Sequence, residues 1–595
     1  MALLLALGSV ACASTDATCL DDGDGSCAGQ SPTWAPELPD SEPLPERLQA
    51  IDIELTLGSQ GDEVRAVHEY LTQFGYFPSD RISALHSQWR PVVAEAPADA
   101  EFFDEQTAAA IVRLQTNAGL PPTGNVDEAT LSLMRKARCG FPDGDFSRSD
   151  AANGKVDKFD HGRIGNWGWD DPSPISYRVD SAAGLVDSAG NAISAAAVTA
   201  AVKSMLDLWA QVTNVTAAGA ASLPGDPVEM AITSGNTPGL LAQASYPDDG
   251  GNDVGGDITL GTSPKWSNDG TPTATETDLR TVLLHEIGHA IGLAHSSFLD
   301  ATMEPFTSIG AAGLDRTLAV DDKVSASYLY DAWFTETWFP SNVRDIGVGG
   351  DSQDSDNVPD AWVAAGATTI SGGYEVRRAN HAGLTWDLAT GNQGAVRISV
   401  GQDGRPWIVA SNGNVYKRST TSASSGTWGQ LAGCATDIGV GGAGEGTAWV
   451  LGCTHVAGGY RIFRWNGSSF EASVPSGGAA VRIAVDTGGV PWVVAEDGKI
   501  WKRTTNVASS GTWTEVVGSA TDIGIGPAGY AWVVNSNNNI FVRNDQVATV
   551  GGSPPPVERH EWMLDNGLAN TVAVGSDAQP WVIGTDLKLY WRKNR

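Results

Sequence analysis

Val64, Val67, Tyr70, Leu71 and Phe74 share one face of a 3.6-residue period, so GDEVRAVHEYLTQFGYF predicts an amphipathic helix. DEQTAAAIVRLQTNAG and VDEATLSLMRKA predict two more, and Asp127 stands where the third helix needs an N-cap. Together they predict a small all-α domain within 51–143. From 144 to 334 the periods mix. ISYRVD, VEMAITSG and LLAQASY read as strands, while SAAAVTAAVKSMLDLWAQVT and VDDKVSASYLYDAW read as helices. LLHEIGHAIGLAH begins as a helix and meets a glycine at Gly292. This mixture predicts an α+β domain.

From 335 to 595 the pattern repeats. A DIGVG-like strand recurs at Asp345, Arg397, Asp437, Arg482, Asp522 and Thr571. Each is followed by a strand centred on Trp362, Trp407, Trp449, Trp492, Trp532 or Trp581, and then by an aromatic-basic strand such as VYKR, IWKR or LYWR. The tryptophan spacing of 40 to 49 residues is that of a propeller blade. Six units imply six blades. The last unit ends without an outer strand, so TETWF, at 335–339, is expected to supply it and close the ring. The repeat resembles the tectonin-type propellers, a resemblance that implies binding of a glycan or a cell surface. Blade tryptophans are more often core than sugar platforms.

At the other end, MALLLALGSVAC (1–12) reads as a secretory signal too short to span a bilayer. Ser9-Val10-Ala11-Cys12 also resembles a lipoprotein box, which would attach the chain to a membrane through a lipid on Cys12. Residues 13–50, rich in Asp, Gly, Ser and Pro, read as a flexible linker. The expected location is therefore extracellular or the cell envelope. Net charge is −33 with no basic patch, which excludes nucleic acid as a partner. Cys19 with Cys27, or Cys434 with Cys453, could pair in an exported chain. Cys139 is left over.

The chemistry concentrates in one stretch. Three of the chain's nine histidines, His285, His289 and His295, lie within eleven residues. His285 and His289 are one helical turn apart and can bind one metal together. Glu286 sits beside that face, placed as a general base rather than a ligand. His295 would point away on a continuing helix, so the helix must end at Gly292, where positive φ costs little. Three ligands and one open position suit a catalytic zinc.

H-E-x-x-H-x-x-G-x-x-H followed by Met303 and Pro305 resembles the matrixin family of metzincins, and Ser296 after His295 agrees. The resemblance implies a secreted zinc endopeptidase acting on protein or peptide substrates, with Met303 as a floor beneath the metal. It places Leu240–Tyr246, including Leu241, Ala242 and Ala244, along the substrate, and the specificity pocket at Phe306–Leu318. Ala137-Arg138-Cys139-Gly140-Phe141-Pro142-Asp143 resembles the family's cysteine switch. Cys139 would fill the fourth zinc position in a latent form, Arg138 and Asp143 would pair, and cleavage between about Gly144 and Trp167 would free the site. The helical domain resembles a peptidoglycan-binding-like prodomain, with SDRISALHSQWRPVVAEAPADAEF as an unusually long insertion.

Departures from the family are specific. Gln243 and Thr259 stand where histidines of a second, structural zinc are usual, and His161 is the only histidine between Asp143 and His285, so one zinc is expected. Asp257 matches a calcium-carboxylate position, with carbonyls from Asp253 to Gly255 as companions. Asp321-Asp322 resembles an acidic pair of the last helix, and equally fits a helix N-terminal charge cluster.

The fold class expected is therefore multidomain: a small all-α prodomain, an α+β metzincin zinc protease domain and an all-β six-bladed propeller. Two rival functions remain open to the sequence. One is a surface carbohydrate-binding protein with a silent protease domain, and the other is a cell-wall-directed peptidase.

Overall fold

The computed structural model describes residues 44–592, apart from 87–88, 137, 145–173, 221–227, 238, 248–254, 297, 299, 307–316, 331–332, 351–359, 445, 474–477, 527–528, 549–556 and 576–577. The signal, Cys12, Cys19, Cys27, most of the expected linker and the expected cleavage segment lie outside these residues. No helix among the described residues is long and apolar enough to cross a membrane.

Helices α1 (Leu44–Ala50), α2 (Asp62–Gln73), α3 (Asp80–Leu85), α4 (Glu105–Asn117) and α5 (Glu128–Met134) form the N-terminal unit. Asp127 caps α5, its carboxylate accepting from Thr130 N at 2.9 Å. Val64, Val67, Tyr70, Leu71 and Phe74 are buried against Ile111, Leu114 and Leu131, as the periodicity requires. Helix α1 lies at the end of the segment expected to be linker, and its Leu48 joins this core. One buried leucine in a polar stretch carried too little periodicity to announce a helix.

The second unit holds a five-stranded sheet of β1 (Ile175–Val179), β2 (Ala217–Ala220), β3 (Met230–Gly235), β4 (Ala242–Ala244) and β5 (Ile258–Gly261), in the order β2-β1-β3-β5-β4. Strands β1, β2, β3 and β5 run parallel, and β4 is an antiparallel edge. Helices α6 (Ala195–Ala210) and α7 (Leu279–Ala290) join one core with this sheet, through Val202, Leu206, Trp209, Leu283, Leu284 and Ile287. Trp209 Nε1 donates to Leu284 O at 3.0 Å, fixing α7 on α6. Helix α8 (Val320–Tyr330) closes the unit.

The remaining chain is mostly β, in antiparallel sheets built from the six repeats. Long strands Trp428–Gly441 and Val557–Val574 each serve two successive repeats. The six second-strand tryptophans are at most 3 % exposed, so they are core. Asp345, Asp437 and Asp522 each accept a backbone N–H from the next repeat, at Ile398, Ile483 and Val572. That explains the aspartate of the repeated motif: it staples neighbouring units. Cys434 and Cys453 are joined in a disulfide.

The last repeat does pair with a strand from before the first, but the pairing residues are Trp333 and Phe334, opposite Arg592 and Trp591. TETWF was expected two residues too late. Trp338 packs instead between Phe339 and Trp386.

Candidate metal centre

Helix α7 starts at its N-cap Asp278, whose carboxylate accepts from Thr281 N, and ends at Ala290. Gly292 has φ +101°, the left-handed turn that brings the chain back. Gly292 N donates to His289 O and Leu293 N to Gly288 O, satisfying the last turn. His295 therefore returns to the face of His285 and His289. The ligand atoms of these three histidines and of Cys139 all lie within 4.8 Å of one another, and all four residues are buried.

The imidazoles are oriented. His285 Nδ1 lies 2.7 Å from Thr302 O, His289 Nδ1 2.7 Å from Leu293 O and His295 Nδ1 2.8 Å from Asp143 Oδ1. Each partner can only accept, so each Nδ1 carries the proton and each Nε2 keeps its lone pair. His295 Nε2 is buried without a hydrogen-bond partner. Burial holds His285 down at about 3 and His289 well below the usual range, so both rings are neutral. Buried neutral Nε2 atoms converging with a thiol are a donor set for zinc.

Cys139 and Glu286 complete the centre. Burial pushes the Cys139 thiol well up, and the nearby Glu286 carboxyl adds to this. A thiolate here therefore needs a compensating dication. Burial also pushes Glu286 up to about 8, partly offset by its contact with Cys139. Met303 lies beneath the helix. A Cβ on Gly288 would come within 2.2 Å of Met303 Sδ, so any other residue before His289 would force the Met303 side chain to shift. Asp322 holds this floor, accepting from Thr302 N at 2.7 Å, Met303 N at 3.0 Å and Ala319 N at 2.8 Å. The sequence left Asp321-Asp322 open between two roles; neither the partners of Asp322 nor Gly288 were foreseen.

Residues 138–140 lie in a groove between β4 and Pro305–Phe306. Leu241 N donates to Arg138 O at 3.2 Å, Gly140 N to Ala242 O at 2.8 Å and Cys139 N to Pro305 O at 3.1 Å. Ala244 is buried at the far end of β4. Arg138 and Asp143 pair at 3.2 Å, both almost fully buried, with the guanidinium between the rings of Phe74 and Phe306. Burial alone would raise Asp143, but Arg138 and His295 together hold it down at about 2. The long insertion packs here too: Ile82 and Trp89 cluster with Cys139, Phe141 and Tyr246. Trp89 Nε1 donates to Asp143 O at 2.8 Å.

Asp257 Oδ1 accepts from Ala231 N at 2.8 Å, tying β5 to β3. Residues 253–254 lie outside the described set, as does most of the expected specificity pocket.

The fold and site thus combine a centre of two helix-borne histidines and a third on the following loop with an antiparallel edge strand beside it. Residues 169–331 match the family model described as Matrixin, residues 60–134 that of a putative peptidoglycan binding domain, and residues 394–595 that of the Tectonin domain. The chain is 28 % identical over 291 residues to Matrix metalloproteinase-2 of Drosophila melanogaster, covering 46 % of this chain and 34 % of that one. It is 27 % identical to Neutrophil collagenase of Homo sapiens, covering 42 % of this chain and 46 % of the relative. It is also 27 % identical to Metalloendoproteinase 4-MMP of Arabidopsis thaliana, covering 44 % and 71 %. The chain thus spans less than half the length of the first two.

Proposed function

We propose that this protein is a zinc-dependent endopeptidase made in a latent form, with the helical domain as its propeptide. The observation that carries the reading is the convergence of Cys139 with His285, His289 and His295 in one buried cluster. The Matrixin match and the matrix metalloproteinase relatives support the enzyme class. His285, His289 and His295 would hold the zinc, which when bound polarises a scissile carbonyl and acidifies water.

Glu286 takes the proton of the attacking water and passes it to the departing amine. In the sealed site its carboxyl is held neutral by burial. Removing the Cys139 segment admits water and lowers that burial cost, which restores the base. The Leu241 N–H and the Ala242 carbonyl, now paired with Arg138 and Gly140, would take a peptide substrate as an added strand. Met303 supports the histidines from below.

The C-terminal region is read as a six-bladed propeller that brings the enzyme to a glycan or cell surface. Six repeats, the Asp staples between neighbours and the pairing of Trp333–Phe334 with the last repeat support that architecture. Its buried tryptophans are not the sugar platforms. The Cys434–Cys453 disulfide suits an exported protein.

The test is cleavage of a protein substrate by purified chain, untreated, treated with a thiol-reactive mercurial, or carrying Cys139→Ala, each with and without a zinc chelator. Latency relieved by the mercurial or by Cys139→Ala, and activity abolished by the chelator, is expected. Full activity in untreated chain would remove the latency and leave the enzyme. No cleavage in any sample despite bound zinc would favour a binding protein.

A further inference from the structure

The three histidines differ in what holds their outer nitrogen. His285 and His289 rest on backbone carbonyls of Thr302 and Leu293, which belong to the loops after α7. His295 rests on the carboxylate of Asp143, at 2.8 Å, and Asp143 belongs to the segment that, on the reading above, is removed with the helical domain. Both side chains are 3 % exposed. The same Oδ1 accepts from Arg138 at 3.2 Å, and Asp143 N donates to Phe74 O at 2.9 Å, so Arg138 holds the carboxylate and Phe74 the backbone that carries it.

We propose that Asp143 is an outer-sphere positioning residue of the zinc centre, acting through His295. The proposal rests on the zinc-protease reading above. The helical domain would then serve the metal twice: Cys139 as a ligand, and Asp143 as the carboxylate behind a ligand. Its partner role goes beyond the ion pair with Arg138. A carboxylate behind an imidazole fixes the tautomer, pins the ring plane and raises the basicity of Nε2, and its loss typically costs 10- to 100-fold in metal affinity. Asp143 is the one anionic partner among the three, the other two being neutral carbonyls. It follows that the latent chain retains zinc better than the released protease, by more than the loss of one thiolate accounts for. Zinc is best acquired while the helical domain is still docked.

The experiment uses the full chain loaded with zinc or, in parallel, cobalt(II). Two quantities are read: the rate of metal loss to excess chelator, and the thiolate-to-cobalt charge-transfer absorption that reports Cys139 on the metal. Wild type is compared with Asp143→Asn and Asp143→Glu. The expected result for Asp143→Asn is an unchanged charge-transfer band with metal lost about 10- to 100-fold faster, partly restored in Asp143→Glu. An intact band with a rate within about twofold of wild type would overturn the proposal. So would a band already absent while cobalt is still bound, which would make Asp143 a holder of the loop alone. Because Asp143→Asn strands the buried Arg138 charge, Arg138→Gln is also compared with Arg138→Gln/Asp143→Asn, where the same difference is expected without that charge. A wild-type chain that takes up neither metal would refute the zinc reading itself.

Discussion

The ring of Phe141 lies flat against the imidazole of His289, with centroids 4.1 Å apart and planes 16° from parallel. His295 meets the same ring edge-on at 5.8 Å. A side chain of the segment after the helical domain thus covers two of the three candidate ligands, and Tyr246 packs on the same ring at 4.5 Å. Phe141→Ala should therefore loosen the segment without touching the thiol. An aromatic contact of this kind is worth about 0.5–1.5 kcal/mol beyond its area. The expected outcome is basal proteolysis several-fold above wild type, with activity after mercurial treatment unchanged.

Glu286→Gln separates metal binding from catalysis. Gln keeps the volume and removes the base, so activity of the mercurial-treated chain should fall about 10²- to 10⁴-fold. Zinc content should stay at the wild-type level, since Glu286 is not among the clustered donors. Metal analysis and peptide cleavage on one preparation check both halves. Loss of zinc in this variant would contradict the assigned role.

The insertion around α3 acts as a clamp on the same loop. Trp89 is buried and its indole N–H holds Asp143 O, while His86 packs on Phe141 at 5.2 Å and on Tyr246 at 6.1 Å. Trp89→Ala removes a large buried side chain, at a typical cost of about 3–5 kcal/mol to the local packing. Limited proteolysis is expected to release the helical domain faster in this variant than in His86→Ala. Equal rates for Trp89→Ala and wild type would show that the insertion does not hold the loop.

Acid should loosen the helical domain through His68. Burial holds this ring down at about 4, with Asp104 and Asp99 opposing and Arg65 reinforcing the shift. Its ring Nε2 lies 2.8 Å from Thr107 Oγ1. The unfolded ring binds a proton near 6.5, the folded one only near 4. Between these values the unfolded state holds more protons, so stability rises with pH and is lost as pH falls from 6.5 to about 4. The loss is roughly 3 kcal/mol at most. Amide exchange in α2 and α4 should accelerate over that window, and His68→Gln should flatten the dependence.

A buried ion pair within the C-terminal region is fastened to α8 by hydrogen bonds from Arg592 to Lys323 O and Ser327 Oγ. Arg592 Nε lies 3.0 Å from Asp565 Oδ2, and Ser327 Oγ donates to Asp565 Oδ1 at 2.7 Å. Phe298, Ala301 and Val324 of the protease unit join the core of the neighbouring repeats. Asp565→Ala strands a buried guanidinium and should destabilise the contact by about 3–5 kcal/mol. Since Asp322 of α8 holds the Met303 turn, thermal unfolding of both units is expected to shift downward together. An unshifted protease transition would show the two units to be independent.

Much of the candidate site could be read from the chain because its spacing is helical. His285 and His289 share a face by periodicity, and Gly292 had to reverse the chain for His295 to return. The buried second-strand tryptophans likewise announced themselves by a regular interval. Asp322 and Gly288 were not legible in this way. Asp322 acts on backbone N–H groups of a loop some twenty residues earlier, and Gly288 yields to a methionine sulfur fifteen residues later. Neither relation leaves a period.

The sequence by itself determined the local elements, the metal-ligand spacing and the six-fold repetition, because helical turns, strand alternation and tandem units are short-range regularities. Only the tertiary structure decided that Asp143 meets His295 across 152 positions, that the insertion closes on Phe141, and that the chain's last described strand pairs at Trp333–Phe334. Those contacts are set by how separately folded surfaces fit, through burial and hydrogen-bond satisfaction between distant segments, and no local pattern encodes that fit.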